Sequence, residues 1–241
     1  MEDALADSCI DLLFIRPGPE EDWIAGKLSQ YVDDLLEECA QNGVRYKVVE
    51  DLKYENANVA SVSERIGGAQ GSDRSVVGLF GHGKDAVFFG FEGDVLLDAD
   101  NAKMLEGFHV YAVTCANASD FGQLLVSEGA LSYVGYLEYF LIPKVGDECE
   151  PHDCWRDIVL GGLRQALSAG SYGVFEVYSA IQAEYSRWME RLSSETELEV
   201  AEEPGVYDLA SLGLLADDPT LWNLFWLSDN QGRLEKLPIS S

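Results

Sequence analysis

Four apolar runs that lack polar alternation set the strongest limit on what this chain can fold into. They are Cys9–Ile15, Ser75–Phe80, His109–Thr114 and Leu131–Ile142. A strand with one wet face alternates apolar and polar residues; a run that stays apolar at successive positions must be covered on both faces. Helical segments separate the runs. From Glu20 to Gln41 the residues Trp23, Ile24, Leu28, Tyr31, Val32, Leu35, Leu36 and Cys39 recur at three-to-four spacing, and Asn42-Gly43 supplies a stop. Val44–Val49 reads as a short strand, Glu55–Ile66 as a weak helix ended by Gly67-Gly68, and Asp120–Ser127 as a helix. Strand and helix in repeated order predict an α/β fold, a mostly parallel sheet with helices on both faces.

Residues 84–101 carry Gly90, Gly93 and several acids, and read as a loop or small hairpin with Phe88, Phe89 and Phe91 partly buried. After Pro143 the texture changes. An acidic loop, Lys144–Asp153, leads to helical periods over Trp155–Leu167 and Gly173–Leu192. Their aromatics (Trp155, Tyr172, Phe175, Tyr178, Tyr185 and Trp188) fall at helical spacing, as packing against a sheet requires. Ser193–Pro204 reads as a solvated, Glu-rich connector. Leu221–Leu227 and Arg233–Leu237 flank the turn Asp229-Asn230-Gln231-Gly232 as a small hairpin. The 241 residues suit one domain: a sheet core over 1–143 and a helical and hairpin part over 144–241.

Charge narrows the partners. Sixteen Lys+Arg against 43 Asp+Glu leave a net charge of −27, which repels phosphate backbones and anionic bilayers. Direct nucleic-acid and membrane binding are therefore not expected. The start Met1-Glu2-Asp3 shows no basic and apolar leader, and no stretch approaches the roughly 20 apolar residues of a membrane span. The five cysteines have no framework spacing. A cytosolic chain with reduced thiols is the expectation. Cofactor signals are absent too. Gly67-Gly68-Ala69-Gln70-Gly71 lacks the Lys-Ser/Thr of a phosphate loop. Cys149, His152 and Cys154 cluster, but zinc would need a fourth ligand such as Asp147 or Asp153, so loop thiols and no metal are expected.

Two residues stand where a parallel sheet binds its ligands, beyond the carboxyl ends of its strands. His82 follows the third apolar strand inside Gly81-His82-Gly83, and Cys115 follows the fourth. Neighbouring strands lie about 4.8 Å apart, so side chains at adjacent ends are within mutual reach. A thiol needs a base to become a strong nucleophile, and imidazole is that base. Each residue also has an ordinary reading: a Cys that ends an apolar strand is commonly core, and a His in a Gly-rich turn commonly does nothing. Their matching positions on consecutive strands favour chemistry.

The order strand-His82-Gly83, strand-Cys115, then Gly129-Ala130 leading Leu131-Ser132-Tyr133-Val134-Gly135-Tyr136, resembles caspase-like cysteine peptidases of clan CD. Bacterial CHAT and gingipain-like members are the nearest to it, and Gly161–Ala183 is similar to the helical pair of CHAT domains. The resemblance implies a caspase-like sheet with C-terminal helices. It also implies an endopeptidase without cofactor or metal: Cys115 as nucleophile, His82 as base and leaving-group acid, and the amides of Gly83 and Cys115 as oxyanion hole. A protein substrate follows, with an activating protein partner and a role in bacterial defence or programmed death, for example through a pore-forming target. The sequence departs from two branches. Caspases read Gln-Ala-Cys-x-Gly where this chain has Val113-Thr114-Cys115-Ala116-Asn117, and metacaspase-like enzymes carry an acid at the position of Val113. Neither Asp nor Arg/Lys specificity carries over. Candidate pocket residues are Val113, Asp94, Asp98 and Glu138. The rival reading is a non-catalytic acidic adaptor on the same fold, with Cys115 buried.

Overall fold

The computed structural model describes residues 9–18, 22–67, 69, 71–115, 118–136, 152–199 and 224–228. Its centre is a six-stranded sheet. In chain order the elements are β1 (Ile10–Arg16), α1 (Trp23–Gln41), β2 (Tyr46–Lys53), α2 (Val59–Arg65), β3 (Ser75–Phe80), β4 (Gly83–Lys84), β5 (Val87–Phe89), β6 (Val95–Leu97), β7 (His109–Val113), α3 (Gln123–Ser127), β8 (Ser132–Tyr136), α4 (His152–Ala169), α5 (Val174–Glu199) and β9 (Leu224–Ser228). The spatial order is β2-β1-β3-β7-β8-β9, with the first five parallel and β9 antiparallel to β8.

Period two sorts the strand side chains onto two cores, which is why the apolar runs do not alternate. Leu12, Phe14, Val76, Tyr111, Val113 and Val134 face α1, α4 and α5, where they meet Leu28, Leu35, Trp155, Leu163 and Val177. Leu13, Ile15, Val77, Leu79, Val110 and Ala112 face the other way, against Val62, Ile66, Leu105, Phe121 and Leu125. Each such side chain contributes about 1.5–3 kcal/mol by leaving water. Close packing on the first face needs glycine. A Cβ at Gly162 of α4 would stand 2.8 Å from both Tyr111 Cε2 and Val177 Cγ1, so α4 meets sheet and α5 together only at a residue without a side chain.

Several boundaries differ from expectation. β2 runs to Lys53 and is the sheet's edge, with Val48 and Val49 exposed and a bulge where Leu12 pairs Val48 but Leu13 pairs Glu50. In place of the expected loop or hairpin, residues 83–97 form a separate three-stranded antiparallel sheet, β4-β5-β6. α5 continues to Glu199, so the first half of the expected connector is helix; its Glu-rich composition is compatible with a helix held by its own backbone bonds. Phe175 is exposed, while Trp155, Tyr172, Tyr178 and Trp188 are buried. The strand expected to end at Ile142 is described to Tyr136, and the second hairpin arm, 233–237, lies outside the described residues. Among the described residues no helix is long and apolar enough to cross a membrane.

Candidate active site

The site lies at the carboxyl rim of β1, β3 and β7. Phe80 pairs with Val113, and the Gly81 amide donates to the Val113 carbonyl at 3.3 Å, carrying the β3–β7 ladder one step past the strands. His82 and Cys115 each follow by the same offset, two residues beyond that last pair. Both therefore leave the sheet at the same rim, from the ends of adjacent strands. Gly81 itself serves packing: a Cβ there would come within 3.3 Å of the Pro17 ring and 3.5 Å of Phe88. Gly83, next to His82, opens β4 and pairs with Phe88, while the Phe89 amide donates to the His82 carbonyl at 3.0 Å. The histidine backbone is held from both sides, and its ring stays about half exposed.

Cys115 is half-buried against the helical core, at the start of the turn from β7 toward α3. The preceding residue anchors it. Thr114 is buried and hydrogen-bonded to the phenol of Tyr133 on β8. The Tyr133 ring needs room: a Cβ at Gly135, two positions along the same strand face, would fall 2.5 Å from it, and one at Gly122 would fall 2.8 Å away. Burial drives the Tyr133 phenol far up, so it remains a neutral partner for Thr114.

Asp22 is the residue that sequence reading missed. It caps α1, accepting from the Ala25 amide on Oδ1 at 3.1 Å, and its Oδ2 lies 2.6 Å from His82 Nε2. Partial burial opposes its charge, but the Ala25 amide and then the His82 hydrogen bond and charge outweigh burial and hold the carboxyl below its ordinary value. An Asp just ahead of a helix is a cap signal. Nothing local ties it to a histidine 60 positions away; only the β1–β3 neighbourhood does.

The other expected site residues scatter. Val113 is fully buried in the core facing α1, α4 and α5, so it packs rather than lining an open pocket. Asp94 is exposed ahead of β6, where its carbonyl accepts from the Gly90 amide. Asp98 closes a turn, its carboxylate taking the Asp100 amide at 2.9 Å while its own amide donates to Asn101 Oδ1. Glu138 and Cys149 lie outside the described residues, and among those described no group of three His, Cys, Asp or Glu is placed to hold a metal ion. His109 packs as a strand-end residue should, stacked 4.6 Å from Tyr172 with Nδ1 2.7 Å from Ser132 Oγ.

No family model matches the chain, and no curated protein does. Among solved structures it is similar to a secreted C11 cysteine protease of Bacteroides thetaiotaomicron, "iotapain", with a TM-score of 0.51 and 10% identity. The match covers 74% of this chain and 63% of that one. At that identity the likeness is one of fold: the two share a mostly parallel central sheet with helices around it.

Proposed function

We propose that the chain is a cysteine endopeptidase whose nucleophile is Cys115 and whose base is His82, oriented by Asp22. One observation carries this reading: the β3–β7 register gives His82 and Cys115 equal offsets at one rim, with His82 Nε2 already engaged by a carboxylate. With Nε2 committed to Asp22, Nδ1 is the nitrogen left for the thiol. His82 takes the Cys115 proton as Sγ attacks the scissile carbonyl, and the oxyanion is met by the amides of Gly83 and Cys115. The C–N bond breaks as His82 returns that proton to the leaving amine. Water, deprotonated by His82, then hydrolyses the thioester and frees the thiol. Thiol and imidazole supply nucleophile, base and acid, so the reaction calls for no cofactor.

On the same reading the enzyme works in the reducing cytosol of a bacterium, where thiols stay reduced. It cuts a small set of protein targets in a defence or programmed-death response, a pore-forming protein among them, once a protein partner or the docked substrate activates it. The test is direct. Cys115→Ala and His82→Ala each abolish cleavage of a peptide library while circular dichroism stays native. Iodoacetamide labels Cys115 faster than Cys39, whose thiol burial and the nearby Glu38 push up, and His82→Ala slows the Cys115 reaction. Cleavage retained in Cys115→Ala overturns the reading. Labelling of Cys115 no faster than that of Cys39 turns it toward an acidic adaptor.

A further inference from the structure

The first turns of α1 present Asp22 to His82, and with the end of β2 they also wall a second feature. A cleft of about 320 Å³ opens between Trp23, Gly26, Gln30 and Asp33 on the helix and Tyr54 just past β2. Because β1, β2, β3 and β7 run parallel, this cleft shares the carboxyl rim of His82 and Cys115, and Trp23 directly follows the aspartate that holds the histidine.

Two costs are spent on its shape. Gly26 stands inside a 19-residue helix, where glycine disfavours the helix relative to alanine, and it lines the cleft. Tyr54 has φ of 52°, a left-handed conformation that an aromatic residue adopts only under constraint, and its residue forms the facing wall. The acid of the wall is already engaged. Asp33 Oδ1 is taken by Arg16 Nη1 and Nη2, each at 3.0 Å, and by Lys53 Nζ at 2.8 Å, so it does not wait for a cation from outside. Indole and phenol walls instead suit a neutral planar ring.

We propose that this cleft is a subsite for an aromatic side chain of the polypeptide substrate, at a residue removed from the cut bond, seated against Trp23 and Tyr54. The assignment rests on the peptidase reading for its purpose, though not for its binding chemistry. The probe is N-acetyltyrosinamide, with N-acetylleucinamide as control, titrated into the full chain and followed by amide NMR. The Gly26 amide and Trp23 indole signals move with the tyrosine compound, at least about tenfold more weakly with leucine. Gly26→Leu fills the cleft while raising helix propensity, and Tyr54→Gly removes the ring while relieving the backbone, so both variants fold; each abolishes the shifts. In library cleavage the wild type prefers substrates with an aromatic residue at one fixed distance from the cut. Gly26→Leu erases that preference through KM. No shift, or a shift that survives Gly26→Leu, overturns the subsite. Shifts without any cleavage leave the subsite standing as a binding site and sink the peptidase; cleavage with no aromatic preference sinks the subsite alone.

Discussion

The Asp22 carboxylate gives one oxygen to the Ala25 amide and the other to His82 Nε2, so a helix cap and a histidine orienter share one side chain. The two tasks separate by substitution. Asn is as good a cap as Asp, so Asp22→Asn keeps stability but replaces the anion facing the imidazolium; the rate of Cys115 alkylation and kcat fall at least tenfold with little change in Tm. Asp22→Ala loses the cap as well, costing about 1 kcal/mol in chemical denaturation. The pH dependence has a definite sign. A free aspartate titrates near 3.8 and Asp22 lies lower in the folded chain, so its contribution is present above that value and lost as pH falls through the folded pKa. Stability curves of wild type and Asp22→Ala therefore differ most above pH 4 and draw together in stronger acid; a difference that grew with acid would refute the pairing. At this scale the sequence placed His82 and Cys115 just past strand ends, because each follows an unmistakable strand. It hid Asp22, because the partner that gives Asp22 its role arrives only with the crossover from β1 to β3.

β3 and β7 are legible to within a residue because two-sided burial removes every ambiguity of face, as Val76, Val77, Leu79 and Val110, all buried, show. β2 is not, since an edge strand with exposed Lys47, Val48 and Val49 carries no burial pattern to mark its end. The β4-β5-β6 sheet is not either, since strands of two or three residues are too short to show a period. The helices were legible in face but not always in length: α5 overran its apolar stripe to Glu199. Gly161-Gly162 was legible as a pair, and the structure gives the second glycine a reason. Gly162→Ala would gain helix propensity, yet the added methyl meets Tyr111 and Val177 at 2.8 Å. Overpacking of that kind costs about 1–3 kcal/mol, so the variant melts lower than wild type by several degrees. A higher Tm would show that α4 rides further from the sheet than these contacts allow.

Arg16 joins β1, α1 and β2 into one body, since its guanidinium is fully buried and bonds Asp51, Asp33 and the Ser29 carbonyl. Replacing it by Met leaves Asp33 and Asp51 with Lys53 as their shared cation. Asp33 is half exposed, so the loss is on the order of 2–3 kcal/mol rather than the larger cost of a wholly buried pair. Equilibrium urea unfolding measures it, and Arg16→Lys recovers only part because ammonium cannot fork. Such pairs are few against a net charge of −27. Folding crowds those charges and unfolding disperses them, so like-charge repulsion works against the native state. Salt shortens the reach of that repulsion, from about 30 Å at 0.01 M to about 8 Å at 0.15 M. It also screens the surface pairs, but exposed pairs such as Arg65–Glu50 are worth about 0–1 kcal/mol each. The repulsion is summed over the whole surface and the attraction over a few contacts, so the first wins. Tm therefore rises by a few degrees as NaCl goes from 10 to 150 mM, and then levels off. A Tm that falls over that range would mean that the ion pairs of Arg16, and those Asp157 makes with Arg164 and Arg187 at 2.9 Å each, outweigh the charge of the whole molecule.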